Sequence, residues 1–139
     1  MVIDTSVLFE ALVPGPHTGV AAQVLLSAPK LTAPDLIRIE VSGALTKAVR
    51  RKQISAEYAA AAFTRLPMTL PPLEATEPLI DRSFALSLEL GHPLADCVFL
   101  AQAEARSDTL LTVDQRFVRK LAGTAHEGRV IALADWRPE

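Results

Sequence analysis

Met1-Val2-Ile3-Asp4-Thr5-Ser6 is the stretch around which the whole chain reads. Three apolar residues, the second and third β-branched, predict a short buried strand. An acid stands at its end, followed by two hydroxyl residues that favour helix N-caps and turns. In open α/β sheets chemistry gathers in the crevice outside the carboxyl ends of the strands, which is where Asp4 falls if the sheet is parallel. A strand-ending Asp also serves as an ordinary turn or cap residue. What gives Asp4 weight is whether other acids converge on the same crevice.

Outward from this strand, Thr5 to Val13 predicts a helix stopped by Pro14-Gly15-Pro16, and Gly19 to Ala28 a second one. Leu31-Thr32-Ala33 suits a brief strand before Pro34-Asp35 opens a third helix. Its stripe of Ile37, Val41, Ala44, Leu45 and Ala48 follows the 3.6-residue period. Glu40 lies within that stripe. It is either an inward acid whose desolvation something offsets, or a first-turn surface acid stabilised by the helix dipole. A Ser55-capped helix with the alanine-rich centre 59–62 forms a hairpin with the third helix, and Met68 to Leu70 adds a strand. Thr76 to Leu90 is a capped helix with Pro78 near its start and Gly91 at its end.

Leu94 to Arg106 has little polar face and belongs at the centre of the fold. Pro93 suits its N1 position, which carries Asp96 past the cap and into the first turn. Asp108 introduces the strand 109–113, and Asp114 ends it as Asp4 ends the first. Gln115 to Leu121 forms a short helix, and Val130 to Leu133 a last strand. Short apolar strands separated by helices imply a mainly parallel sheet covered on both faces, an α/β class, three-layer α/β/α sandwich.

Composition bounds the rest. The 139 residues suit one domain, 1–139, and 50% hydrophobic content supports a packed core rather than disorder. Charges break every apolar run before the roughly 18 residues a membrane span needs, and Asp4 and Glu10 would spoil a signal peptide. One cysteine, Cys97, precludes an internal disulfide framework and fits a reducing cytoplasm. A net charge of −2 makes any polyanion site local. Two basic groups could supply one: Lys47, Arg50, Arg51 and Lys52, which also suit a solvated helix C-terminus, and Arg116, Arg119 and Lys120.

Asp4 and Asp114 end strands, while Glu40 and Asp96 are expected in the first turns of helices. In a three-layer sandwich those positions share one end of the sheet. Four carboxylates in one pocket repel and raise one another's pKa, which a hard cation relieves. Mg2+ and Mn2+ take oxygen ligands, and the chain lacks the Cys/His set that zinc prefers. Such a site suits phosphoryl transfer.

Taken together, Val2-Ile3-Asp4-Thr5-Ser6, Glu40-Val41 with Ala44-Leu45, Leu94-Ala95-Asp96 with Leu100-Ala101, and Thr112-Val113-Asp114-Gln115-Arg116-Phe117 resemble the acidic motifs of PIN-domain ribonucleases. Their order and spacing match over essentially the whole chain, and length and hairpin layout are most similar to VapC-type toxins of prokaryotic toxin–antitoxin pairs. The resemblance implies a PIN-like fold with Asp4, Glu40, Asp96 and Asp114 as a catalytic, metal-binding acidic centre, and Ser6 and Thr112 as supporting hydrogen-bonders. It further implies Mg2+- or Mn2+-dependent endonucleolytic cleavage of RNA, homodimeric packing and inhibition by a small cognate antitoxin. Contact with RNA falls to Arg50, Arg51, Lys52, Arg116 and Arg119.

Three other readings compete. One is a catalytically inactive, protein-binding copy of the fold, which would have no reason to keep four mutually repelling acids. Another is a PIN nuclease of RNA processing without an antitoxin. The third is an aspartyl-phosphate phosphatase or receiver domain, which needs a second acid beside the strand-ending Asp where Thr5 and Ser6 stand. His17, His92 and His126 match no motif and read as loop residues.

Overall fold

Successive strand residues face opposite sides of a sheet, yet Val2, Ile3, Leu110 and Leu111 are each 0% exposed. The central sheet is therefore covered on both faces, as the apolar strand sequences require. The computed structural model describes residues 1–28 and 30–138. In chain order the elements are β1 (Val2–Ile3), α1 (Thr5–Leu12), α2 (Thr18–Ser27), β2 (Ala33–Pro34), α3 (Leu36–Arg50), α4 (Ala56–Thr69) and β3 (Leu73–Glu74). They continue with α5 (Ile80–Leu90), α6 (Leu94–Ala105), β4 (Leu110–Thr112), α7 (Gln115–Lys120) and β5 (Val130–Ala132).

All the strand pairs are parallel. β1, β4 and β5 lie side by side in that order, with Val2 opposite Leu110 and Leu110 opposite Val130. β2 pairs with β3, Ala33 opposite Leu73. A bridge between Val2 and Thr32, with Ile3 N–H donating to the Thr32 carbonyl at 3.1 Å, joins the two sets across β1. The carboxyl ends of β1 and β4 thus lie next to each other; Asp4 follows β1 at once, and Asp114 follows β4 after Val113. α6 is the buried helix that its sequence predicts: Cys97 to Ala103 are all buried. Burial pushes the Cys97 thiol up to about 11, which fits an inert small hydrophobe rather than a nucleophile.

Several sequence expectations are corrected. Met68 to Leu70 is not a strand; α4 runs to Thr69 through Pro67, and Met68 is 88% exposed. Proline costs one backbone bond there, but the ladder resumes with Leu70 N–H on the Leu66 carbonyl at 3.0 Å. The strand forms later, at Leu73–Glu74, where pairing with β2 decides it. Thr76 does not cap its own helix. With Asp35 it closes the start of α3 instead: Thr76 Oγ1 donates to Asp35 Oδ1 at 2.6 Å and accepts from Leu36 N–H at 3.0 Å. Pro93 occupies the N-cap of α6 rather than N1, and Glu40 falls in the second turn of α3 rather than the first. No single helix among the described residues is long and apolar enough to cross a membrane.

Candidate active site

The strand-ending Asp4 is both buried and the N-cap of α1. Its Oδ1 accepts from Ser6 N–H at 3.0 Å, Ser6 Oγ at 2.5 Å and Val7 N–H at 3.3 Å. Asp114 repeats the device on α7, its Oδ1 accepting from Arg116 and Phe117 N–H at 2.9 and 3.3 Å. Each cap uses one carboxylate oxygen and leaves Oδ2 to face elsewhere. Ser6 Oγ also accepts from Val113 N–H at 3.0 Å and lies 3.5 Å from Thr112 Oγ1. Thr112 Oγ1 in turn accepts from Asp114 N–H at 3.1 Å. Ser6 and Thr112 therefore stitch the end of β1 to the end of β4 and fix both acids.

Asp4, Glu40, Asp96 and Asp114 line a single cavity of about 390 Å3, with Thr5, Ser6, Thr112 and the rings of Phe9, Phe99 and Phe117 completing its wall. Glu40 reaches it from α3 and accepts from Thr5 Oγ1 at 2.8 Å. The inward reading of this acid holds, and Thr5 is what offsets part of its desolvation. Asp96 reaches the cavity from the first turn of α6. Burial raises the Asp4 carboxyl from 3.8 to about 6, against the lowering effect of its hydrogen bonds, and nearby Asp96 adds to the rise. Glu40 and Asp96 are also raised, chiefly by burial, Asp96 additionally by Asp114.

Two neighbours of the site escape sequence reasoning. Glu10 is a fifth carboxylate on the cavity wall; its place on α1 four residues after Ser6, on the same helix face, gave the signal. His92 is in the loop between α5 and α6, as its sequence suggests, but it is no bystander. It is buried, its ring stacks on Phe117 with centroids 4.0 Å apart, and its Nε2 lies 3.0 Å from Asp96 Oδ2. Its position four residues before Asp96 was the available clue. His126 likewise has a partner, Glu89, at 3.0 Å.

The basic residues separate into two places. Arg116 and Arg119 are exposed on α7, directly after Asp114. Arg50, Arg51 and Lys52 lie at the far end of α3, ten or more residues beyond Glu40, so about 15 Å or more along the helix axis. Lys52 takes a left-handed backbone, φ 59°, in the turn to α4.

An all-oxygen donor set of carboxylates whose charged forms burial disfavours suits a hard divalent ion. Among the described residues no three His, Cys, Asp or Glu side chains already stand close enough together to hold a metal ion. Acids gathered on one open cavity instead fit a divalent ion that keeps part of its water.

The sequence matches a family described as PIN domain over residues 1–122. No curated protein sequence matches the chain. Among solved structures it is similar to a protein of Pyrobaculum aerophilum, with TM-score 0.72 and 20% identity over 96% of this chain and 90% of that one. It is also similar to a toxin–antitoxin complex from Klebsiella pneumoniae (TM-score 0.61, 22% identity, 95% of this chain and 96% of that one). A third similar structure is Mycobacterium tuberculosis VapC20, a sarcin-ricin loop cleaving toxin (TM-score 0.63, 19% identity, 89% of this chain and 95% of that one). At these identities the likeness to solved structures is one of fold.

Proposed function

The chain belongs to the PIN-domain family, and from that premise we propose that it is a divalent-metal-dependent endoribonuclease acting in the cytoplasm as the toxin of a toxin–antitoxin pair. The observation that carries the reading is the gathering of Asp4, Glu40, Asp96 and Asp114 on one cavity beside two strand ends. Asp4, Glu40, Asp96 and Asp114 would hold a Mg2+ or Mn2+ ion, which would supply Lewis acidity and an activated water for phosphodiester hydrolysis. The chain's own part is to hold the acids. Ser6 and the backbone of Val7 pin Asp4, Thr5 pins Glu40, and the first turn of α7 pins Asp114. Arg116 and Arg119 stand where they can take the phosphates of an RNA strand.

The antitoxin reading draws support from α3, which lines both the acidic cavity, through Glu40 and Ala44, and a separate apolar groove. That groove, about 430 Å3, runs between α3 and α4 and is lined by Leu45, Val49, Ala59, Ala60 and Phe63. Tyr58 is not part of it; its hydroxyl donates to the Leu12 carbonyl at 3.0 Å within the domain. A partner helix seated in the groove can extend an arginine to the acids, because guanidinium pairs carboxylates bidentately. A second copy of the chain would cover the exposed row Ile80, Phe84 and Leu88 of α5.

Purified protein should cleave RNA with Mg2+ or Mn2+ and stop when EDTA is added, and Asp96→Asn should be inactive. Undiminished cleavage in excess EDTA would sink the metal-dependent reading, and activity retained by Asp96→Asn would remove this acid from the site.

A further inference from the structure

His92 sits at the junction of the two helices that carry Asp96 and Asp114. Two contacts fix its ring. It stacks on Phe117 at 4.0 Å with the planes 11° apart. Its Nδ1 lies 3.0 Å from Lys120 Nζ, and Lys120 Nζ also donates to the Gly91 carbonyl at 3.2 Å. Phe117 and Lys120 both belong to α7, the helix capped by Asp114.

The ammonium of Lys120 has donors and no acceptor. Nδ1 must therefore accept, and the proton of a neutral ring resides on Nε2. That Nε2–H is buried and has no aligned hydrogen-bond acceptor among the described residues. The ion-pair partner within reach is Asp96 Oδ2, 3.0 Å away but off the line of the N–H bond. A buried donor left in this state is costly, and a small turn of the Asp96 carboxylate satisfies it. Engaging Oδ2 in this way leaves Oδ1 for the cavity.

We propose that His92 is a positioning residue for Asp96, locked by Phe117 and Lys120 so that its Nε2–H holds one carboxylate oxygen and presents the other to a bound divalent ion. This inference rests on the metal-dependent reading of the site. It assigns to Lys120 the choice of tautomer and to the stack on Phe117 the spacing between α6 and α7, so that the two acids are set relative to each other. Groups that orient metal-binding carboxylates and imidazoles from behind commonly change metal affinity by about 10- to 100-fold when removed.

The test compares His92→Phe, His92→Gln and Lys120→Met in the intact protein. Phe keeps a stacking ring and deletes both nitrogens. Gln keeps an amide donor at about the reach of Nε2. Mn2+ affinity is measured by calorimetry, and melting temperature is taken in EDTA. His92→Phe should bind Mn2+ about tenfold more weakly or worse while its EDTA melting temperature stays near that of wild type. His92→Gln should recover most of the lost affinity, and Lys120→Met should fall between. Wild-type Mn2+ affinity in His92→Phe overturns the proposal and leaves His92 a packing residue, as does a Gln variant no better than Phe. If His92→Phe does not fold, undiminished affinity in Lys120→Met, which leaves the ring in place, overturns the proposed lock. Failure of the wild-type protein itself to bind Mn2+ overturns the metal reading, and this inference with it.

Discussion

Asp4→Asn in the metal-free protein is the sharpest probe of the acidic cavity, because the same change should stabilise the fold and abolish its activity. The fold raises the Asp4 carboxyl from 3.8 to about 6. A group protonated near 6 when folded and near 3.8 when unfolded costs the native state about 3 kcal/mol once both forms are ionised. Asparagine removes that charge and is as good an N-cap as aspartate. Its Oδ1 can keep the three bonds from Ser6 and Val7. The new NH2 group must find an acceptor, which offsets part of the gain, so we expect a net stabilisation of about 1–3 kcal/mol at pH 7.5. For a chain of this size that raises the melting temperature by about 3–9 °C.

The pH dependence fixes the sign. Because the folded pKa lies above the unfolded one, the native state holds a proton that the unfolded chain releases. Wild-type stability therefore falls as pH rises from about 4 to about 6 and is level above that. The variant has no such loss, so its advantage is full above about pH 6, and about one third of it remains at pH 4.5. Mg2+ binds the native wild type and stabilises it by mass action, so adding the ion should shrink the difference or reverse it. Urea unfolding followed by circular dichroism at pH 4.5, 6 and 7.5, in EDTA and then in Mg2+, measures all of this. A variant less stable than wild type at pH 7.5 in EDTA, or an offset that ignores pH, would refute the reasoning and make Asp4 a structural cap.

The remaining expectations concern the surfaces around the cavity. In an inactive Asp96→Asn background, Arg116→Ala and Arg119→Ala should each weaken RNA binding and lower its dependence on log salt by about one, whatever the sequence. The distant Arg50→Ala, Arg51→Ala, Lys52→Ala triple variant should matter only for longer substrates, and fluorescence anisotropy with short and long RNAs separates the two groups. Ala60→Glu places a charge in the α3–α4 groove and should release a co-expressed antitoxin while sparing cleavage by the free enzyme; pull-down with retained inhibition would remove the groove from the interface. Leu88, 71% exposed on the α5 row, is the place to test self-association. Leu88→Glu should convert a dimer to a monomer by sedimentation, whereas an unchanged dimer would move the contact elsewhere.

Much of the fold was legible because it depends on local chemistry. The β-branched start, the apolar 109–113 run and the Pro/Gly punctuation specify strands and helix ends from nearest neighbours alone. The acids at positions 4 and 114 were likewise legible, since a carboxylate that ends a strand also caps the helix after it, and both do. Where the local signal misled, a distant segment had the stronger claim. Met68 to Leu70 is apolar enough for a strand, but backbone pairing with β2 was available only farther on, at Leu73.

What the sequence by itself determined is the order of acids, strands and helices, because periodicity, capping and turn preference act over a few residues. Only the tertiary structure decided which oxygens are engaged. Thr5 meets Glu40 across 35 residues, Ser6 meets Val113 across 107, and Lys120 meets His92 across 28. A histidine between Gly91 and Pro93 reads as a turn until α7 packs its phenylalanine against the ring. Burial also sets the carboxyl of Asp4 at about 6. Desolvation depends on everything that surrounds a group, and no window of sequence around that residue contains it.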